Sequence, residues 1–151
     1  MSIPTLYTFF FLYIEPVTAL AGFYYAWFHP ALYLELTYGR PSAVGKHVIL
    51  HQLANLYLLF AINEALVLRA TRDPKVWRAL LFGLLVADFG HLASLSELGS
   101  DYYWKAWEWN SMAWGNVFVV YVGMTMRMCF LLGVGISASD GVNVEVEKLK
   151  S

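Results

Sequence analysis

Residues 48–68 read VILHQLANLYLLFAINEALVL, an apolar run without Lys or Arg that still carries His51, Gln52, Asn55, Asn63 and Glu64. A membrane-spanning helix needs about 20 mostly apolar residues. Three other stretches meet the same test: residues 5–28, 76–95 and 112–136. Strands of a membrane barrel would alternate apolar and polar positions. These runs are continuous, so they read as helices. The expected fold is therefore all-α, a four-helix transmembrane bundle over residues 1–136. A polar C-terminal tail, residues 137–151, follows it, and its end is expected to fray.

Composition agrees with that class. Of 151 residues, 59% are hydrophobic and 14% charged, against ~25% charged in ordinary globular domains. A net charge of −1 argues against a basic nucleic-acid-binding face. The single cysteine, Cys129, excludes an internal disulfide and a Cys-rich zinc site. No Lys or Arg precedes the first run, which also exceeds the ~7–15-residue core of a cleaved signal. It reads as a retained helix.

Basic residues in short loops set orientation. Arg69, Arg72, Lys75 and Arg78 lie around the second-to-third connection, and Lys148 and Lys150 in the tail share their side. Arg40, Lys46 and Lys105 lie opposite. Both termini are thus expected to be cytoplasmic, in the endoplasmic reticulum membrane. Asp73-Pro74 supplies a turn. Tyr102, Tyr103, Trp104, Trp107 and Trp109 crowd the last lumenal loop, as an interfacial aromatic belt does. The alternative is a roof over a cavity.

Ionisable groups inside spans are costly and point to function. Glu15 precedes Pro16, which removes a backbone hydrogen bond and can kink the helix. Asp88 and His91 lie on the third span, and Trp114, Asn116 and Arg127 on the fourth. Depth sorts these groups into two sets. His51 and Glu64 stand ~20 Å apart along their helix. Glu64 and Arg127 fall together in the cytoplasmic half, where a structural ion pair would lock spans two and four. Glu15, Asp88 and His91 fall at the midplane or above it. Asp88 and His91, at i, i+3, share a helix face. Gln52 and Asn63 lie about 20° apart in projection, flanked by Asn55, as an inward polar stripe.

Two carboxyls and an imidazole form an acid–base set, because environment can make one group the acid and another the base at one pH. Plainer readings exist. Asp88–His91 reads equally as an interhelical hydrogen bond, and Glu15 as a partner for backbone freed by Pro16. Gln52, Asn55 and Asn116 read equally as helix–helix glue. His51, Asp88 and His91 are possible zinc ligands, but no tight ligand motif supports a metal. No nucleotide or nucleophile-elbow fingerprint occurs.

Five stretches carry a resemblance: FLYIEP (11–16), QLANLY (52–57), NEALVLR (63–69), ADFGH (87–91) and WGN (114–116). Over residues 3–135 the chain resembles a fungal family of small four-helix membrane proteins of largely unknown function. That family includes membrane epoxide hydrolases of aurovertin-, citreoviridin- and asteltoxin-type polyketide pathways. The resemblance marks Glu15, Asn55, Glu64, Asp88, His91, Trp114 and Asn116 as signature positions, without assigning roles. Sterol isomerases and sigma-2-receptor-like proteins share only the architecture, since their acidic and His pattern does not map cleanly. Fungal membrane terpene cyclases have more helices than this chain can form.

The resemblance and the residues together lead to one expectation. It is a membrane enzyme of fungal secondary metabolism that opens or cyclises a lipophilic polyene epoxide without a cofactor. Asp88, Glu15 and His91 would be catalytic, with His91 orienting Asp88 or shuttling protons. Gln52, Asn55, Asn63, Trp114 and Asn116 would bind the substrate. The alternatives are a membrane isomerase or cyclase using the same pair, and a non-catalytic lipid-binding scaffold.

Overall fold

The computed structural model describes residues 3–39 and 48–136. The tail 137–151, Arg40 and Lys46 lie outside the described residues, as do the expectations placed on them. The described chain is helical, and four helices are long and apolar enough to cross a membrane. They are α1 (Thr5–Phe28), α3 (Val48–Ala70), α4 (Pro74–Leu98) and α5 (Ser111–Leu131). The fourth ends at Leu131, earlier than the sequence run to residue 136 suggests. Gly133 and Gly135 take φ of 79° and 71°, a left-handed conformation that ends helices and that glycine adopts without strain.

The first connection holds a helix that hydropathy did not predict: α2, Pro30–Tyr38. Its signals are local. Pro30 sits in the first turn, and Gly39 follows the end at φ 68°, which is the usual helix start and stop chemistry. Asn110 Nδ2 donates to Leu36 O at 2.6 Å and ties α2 to the start of α5. The α3–α4 turn follows the Asp73-Pro74 expectation. Asp73 Oδ1 accepts from Lys75 N at 2.8 Å, capping α4.

The bundle is apolar outside and polar within. Ile49, Phe82 and Val86 are exposed, whereas Glu64 is 1% and Arg127 3% exposed. That inversion suits a lipid surround and makes this an integral membrane protein. Two apolar cores close the ends. Phe11, Leu68, Trp77, Leu81 and Phe130 pack at the end bearing Arg69, Arg72 and Lys75. Ala26, Tyr33, Leu50, Ala54 and Met112 pack at the opposite, aromatic end. There Trp104 and Trp107 project outward, as a belt does, while Tyr103 Oη donates to Leu92 O at 2.6 Å.

Three of the four spans contain a π-helical turn: Phe10–Ile14, Asn63–Val67 and Trp114–Val119. π-turns are rare and concentrate at functional sites. Here each turn either contains or directly precedes a polar residue of the bundle interior, namely the buried Glu64 and Asn116 and the partly buried Glu15.

A candidate acid–base site in the bundle core

The Glu64–Arg127 pair exists, and it is one arm of a larger cluster. Arg127 Nη2 lies 3.1 Å from Glu64 Oε1 and also bonds Glu15 Oε1, while Nη1 donates to Asp88 Oδ2 at 2.6 Å. One guanidinium thus joins all four spans. The division into a midplane set and a cytoplasmic set is corrected, because Glu15 and Asp88 belong with Glu64 and Arg127. Long side chains moved the groups together. Arg127 spans a turn of helix height, and helical rise alone ignores that reach.

Asp88 and His91 do not pair. Asp88 is taken by Arg127, while His91 Nε2 donates to Asn116 O at 3.0 Å. A carbonyl only accepts, so this bond places a proton on Nε2. The π-turn over Trp114–Val119 leaves carbonyls free of their regular partners, and Asn116 O is thereby available. Nor does the Glu15 carboxyl serve the backbone that Pro16 frees. The freed carbonyl is Leu12 O, and it accepts from Arg69 Nη2 at 3.1 Å. The same guanidinium lies 4.8 Å from the Tyr13 ring centroid, so Arg69 is a buttress between α3 and α1.

Three carboxyls share one guanidinium. If all were ionised, two negative charges would remain uncompensated in an apolar interior, which costs more than holding a proton. The Glu15 and Glu64 carboxyls meet the same Arg127 nitrogen, Nη2, through their Oε1 atoms. Each keeps a buried Oε2 without a donor among the described residues. The arrangement therefore offers a carboxylic acid beside carboxylates.

A cavity of about 300 Å³ runs from this cluster toward the aromatic end. Glu15, Gly22 and Tyr25 line it from α1, and Tyr57, Phe60 and Glu64 from α3. Leu84, Asp88 and His91 line it from α4, and Gly115, Asn116 and Arg127 from α5. Its volume is at the lower limit for small-molecule sites, and an apolar wall with a few convergent polar groups is their usual form. Tyr33, from α2, reaches the far end, where its hydroxyl lies 3.0 Å from that of Tyr57. Burial, with Tyr57 beside it, raises the Tyr33 pKa above its ordinary 10.0.

Several expected binding residues lie elsewhere. Gln52 and Asn55 are exposed and line a separate outer groove with His51 and Leu56. Asn63 does not line the cavity. Trp114 is 43% exposed and packs on Trp109 and Phe118. The stripe of Gln52, Asn55 and Asn63 shares a face, but periodicity relates positions to one another and does not say which face is inward. The inward face of α3 carries Tyr57, Phe60 and Glu64. Among the described residues no group of His, Cys, Asp and Glu is arranged to hold a metal. Sequence reading did not find Tyr33 and Tyr57, and it gave Arg127 only one of its three partners. The His29-Pro30…Gly39 punctuation was the available signal for the helix that delivers Tyr33.

A family model described as a domain of unknown function (DUF7704) matches residues 1–137. No curated protein and no solved structure matches the chain.

Proposed function

From the premise that the chain belongs to the DUF7704 family, we propose that it is a membrane-embedded acid–base enzyme that opens or cyclises a lipophilic epoxide. One observation carries this reading. Two carboxyls, Glu15 and Glu64, share one nitrogen of Arg127 and stand with Asp88 on the wall of a largely apolar cavity. Such a site shields an apolar substrate from bulk solvent while keeping a proton donor and an acceptor at one spot.

The Glu15–Glu64 pair gives its proton to the epoxide oxygen as the carbon–oxygen bond breaks. Water, or a hydroxyl of the same substrate, forms the new carbon–oxygen bond. Asp88 takes the proton that the nucleophile loses, and that proton returns to the pair for the next turnover. Arg127 holds the three carboxyls in register, and no cofactor enters. General acid–base catalysis contributes about 10²–10⁴-fold, and alignment in a closed site adds to it. We place the protein in the endoplasmic reticulum membrane with both termini cytoplasmic, in fungal polyketide metabolism of the polyene type.

Purified protein in nanodiscs, given polyene epoxides, is expected to yield diols or isomeric cyclic ethers. Folded protein that leaves every such epoxide at its background rate overturns the proposal. A scaffold is the second reading. It is favoured by the fact that Arg127 bonds each of the three carboxyls, which a purely structural lock would also require.

A further inference from the structure

The cavity has two chemically different ends. At one end stand Glu15, Glu64 and Asp88 around Arg127. At the other, the hydroxyls of Tyr33 and Tyr57 lie 3.0 Å apart. Two phenols carry two O–H protons, and their mutual bond uses one. The second proton has no acceptor among the described residues. The buried Tyr102 hydroxyl, outside the cavity wall, likewise has no hydrogen-bond partner among the described residues. A buried donor without an acceptor costs free energy, and the cavity holds the space in which an acceptor would sit.

The hydroxyls are also held in place. A β carbon at Gly22 would lie 3.3 Å from the Tyr57 ring, so the absence of a side chain there lets the ring rest against α1. Tyr33 is 6% exposed, on a short helix tied to α5 through Asn110. Tyr57 and Glu64 are seven positions apart on one helix, a backbone rise of ~10 Å, and both side chains turn into the same cavity.

We infer that the Tyr33–Tyr57 pair is a recognition site for an acceptor oxygen on an elongated apolar ligand, about 10 Å from the group that meets the carboxyls. The ligand class is a lipophilic chain with a carbonyl or ether oxygen about eight carbon–carbon bonds from its reacting centre. Between the ends the wall is mostly apolar, with Phe60, Leu84 and Val119 beside His91 and Asn116. The identity of the reacting group rests on the proposed epoxide chemistry. The oxygen site does not.

The test uses the full chain in nanodiscs and unreactive probes, in which a cyclopropane stands in for the epoxide. One probe has a ketone about eight bonds from the cyclopropane, a second has it about four bonds away, and a third has a methylene instead. Dissociation constants are measured by scintillation proximity with the tritiated first probe. The matched ketone is expected to bind about five- to tenfold tighter than the methylene probe, the factor that one or two neutral hydrogen bonds supply. The short-spaced ketone should show under half of that gain. Tyr57→Phe and Tyr33→Phe should each reduce the preference to below about threefold. Equal binding of all three probes to the parent protein overturns the inference, and so does a preference that survives both phenylalanine variants. The parent series decides even where a variant does not fold. Ketone preference without epoxide turnover keeps this inference and removes the proposed reaction; turnover without ketone preference does the reverse.

Discussion

No β carbon fits at Gly123: one built there would stand 2.8 Å from Arg127 Nη1 and 3.0 Å from Glu15 Oε1. Gly123 lies one turn before Arg127 on α5, and its bare backbone leaves the room in which the guanidinium meets Glu15. Gly123→Ala should displace a group that three carboxyls hold. The expected loss is ~1–3 kcal/mol, the usual cost of overpacking, read as a lower melting temperature in detergent. Gly83 and Gly90 on α4 have open space around them. Alanine at either should leave melting unchanged or raise it slightly, since alanine is the better helix former. An equal response at all three positions would show that Gly123 has no special role.

Arg127→Met should be severe, because removing one partner of a buried ion cluster typically costs ~3–5 kcal/mol. Glu64→Gln added to it should recover only part of the loss, since Glu15 and Asp88 still lack their cation. Neutralising all three carboxyls together with Arg127 should recover more. Full recovery from Glu64→Gln alone would reduce the cluster to a simple pair.

Arg69 and Pro16 should be energetically coupled. Arg69→Met removes the donor to Leu12 O, at an expected cost of ~1 kcal/mol, low because the exposed part of the side chain is hydrated. In a Pro16→Ala background residue 16 regains an N–H that can serve the same carbonyl, so the cost should shrink. A double-mutant cycle on melting free energies measures this, and strict additivity would sink the coupling.

Glu64→Gln, Glu15→Gln and Asp88→Asn keep size and hydrogen-bonding shape but cannot exchange protons. Each should cut epoxide turnover by at least ~10²-fold while the bundle still folds, as far-UV circular dichroism and melting can verify. His91→Ala should be milder, because His91 bonds Asn116 O and not a carboxyl. Amide variants with parental turnover would move the chemistry out of this cluster.

Arg72 lies in the short α3–α4 turn and is exposed. In a Cys129→Ser background, Arg72→Cys should react with an impermeant thiol reagent outside sealed microsomes. Labelling only after the membrane is opened would invert the proposed orientation.

Hydropathy and continuity in the sequence determined four spanning helices, and residue chemistry marked Glu15, Glu64, Asp88, His91 and Arg127 as expensive groups needing partners. Those conclusions rest on local quantities: run length, polarity and the cost of burying charge. Only the tertiary structure decided the pairing. Gln52, Asn55 and Asn63 align on one face of α3, yet that face turns away from the cavity, because periodicity fixes relative angle and packing fixes absolute direction. Depth along a straight helix separated Asp88 and Glu15 from Arg127, yet a guanidinium on a long side chain reaches all three carboxyls. π-turns at Phe10–Ile14, Asn63–Val67 and Trp114–Val119 each alter helical phase beside the site, and an ideal projection carries no term for them. The Tyr33–Tyr57 contact joins residues on separate helices across an intervening connection, so no local pattern announces it. Shape in three dimensions decides which of several polar groups meet, since each favourable contact depends on where the other helices stand.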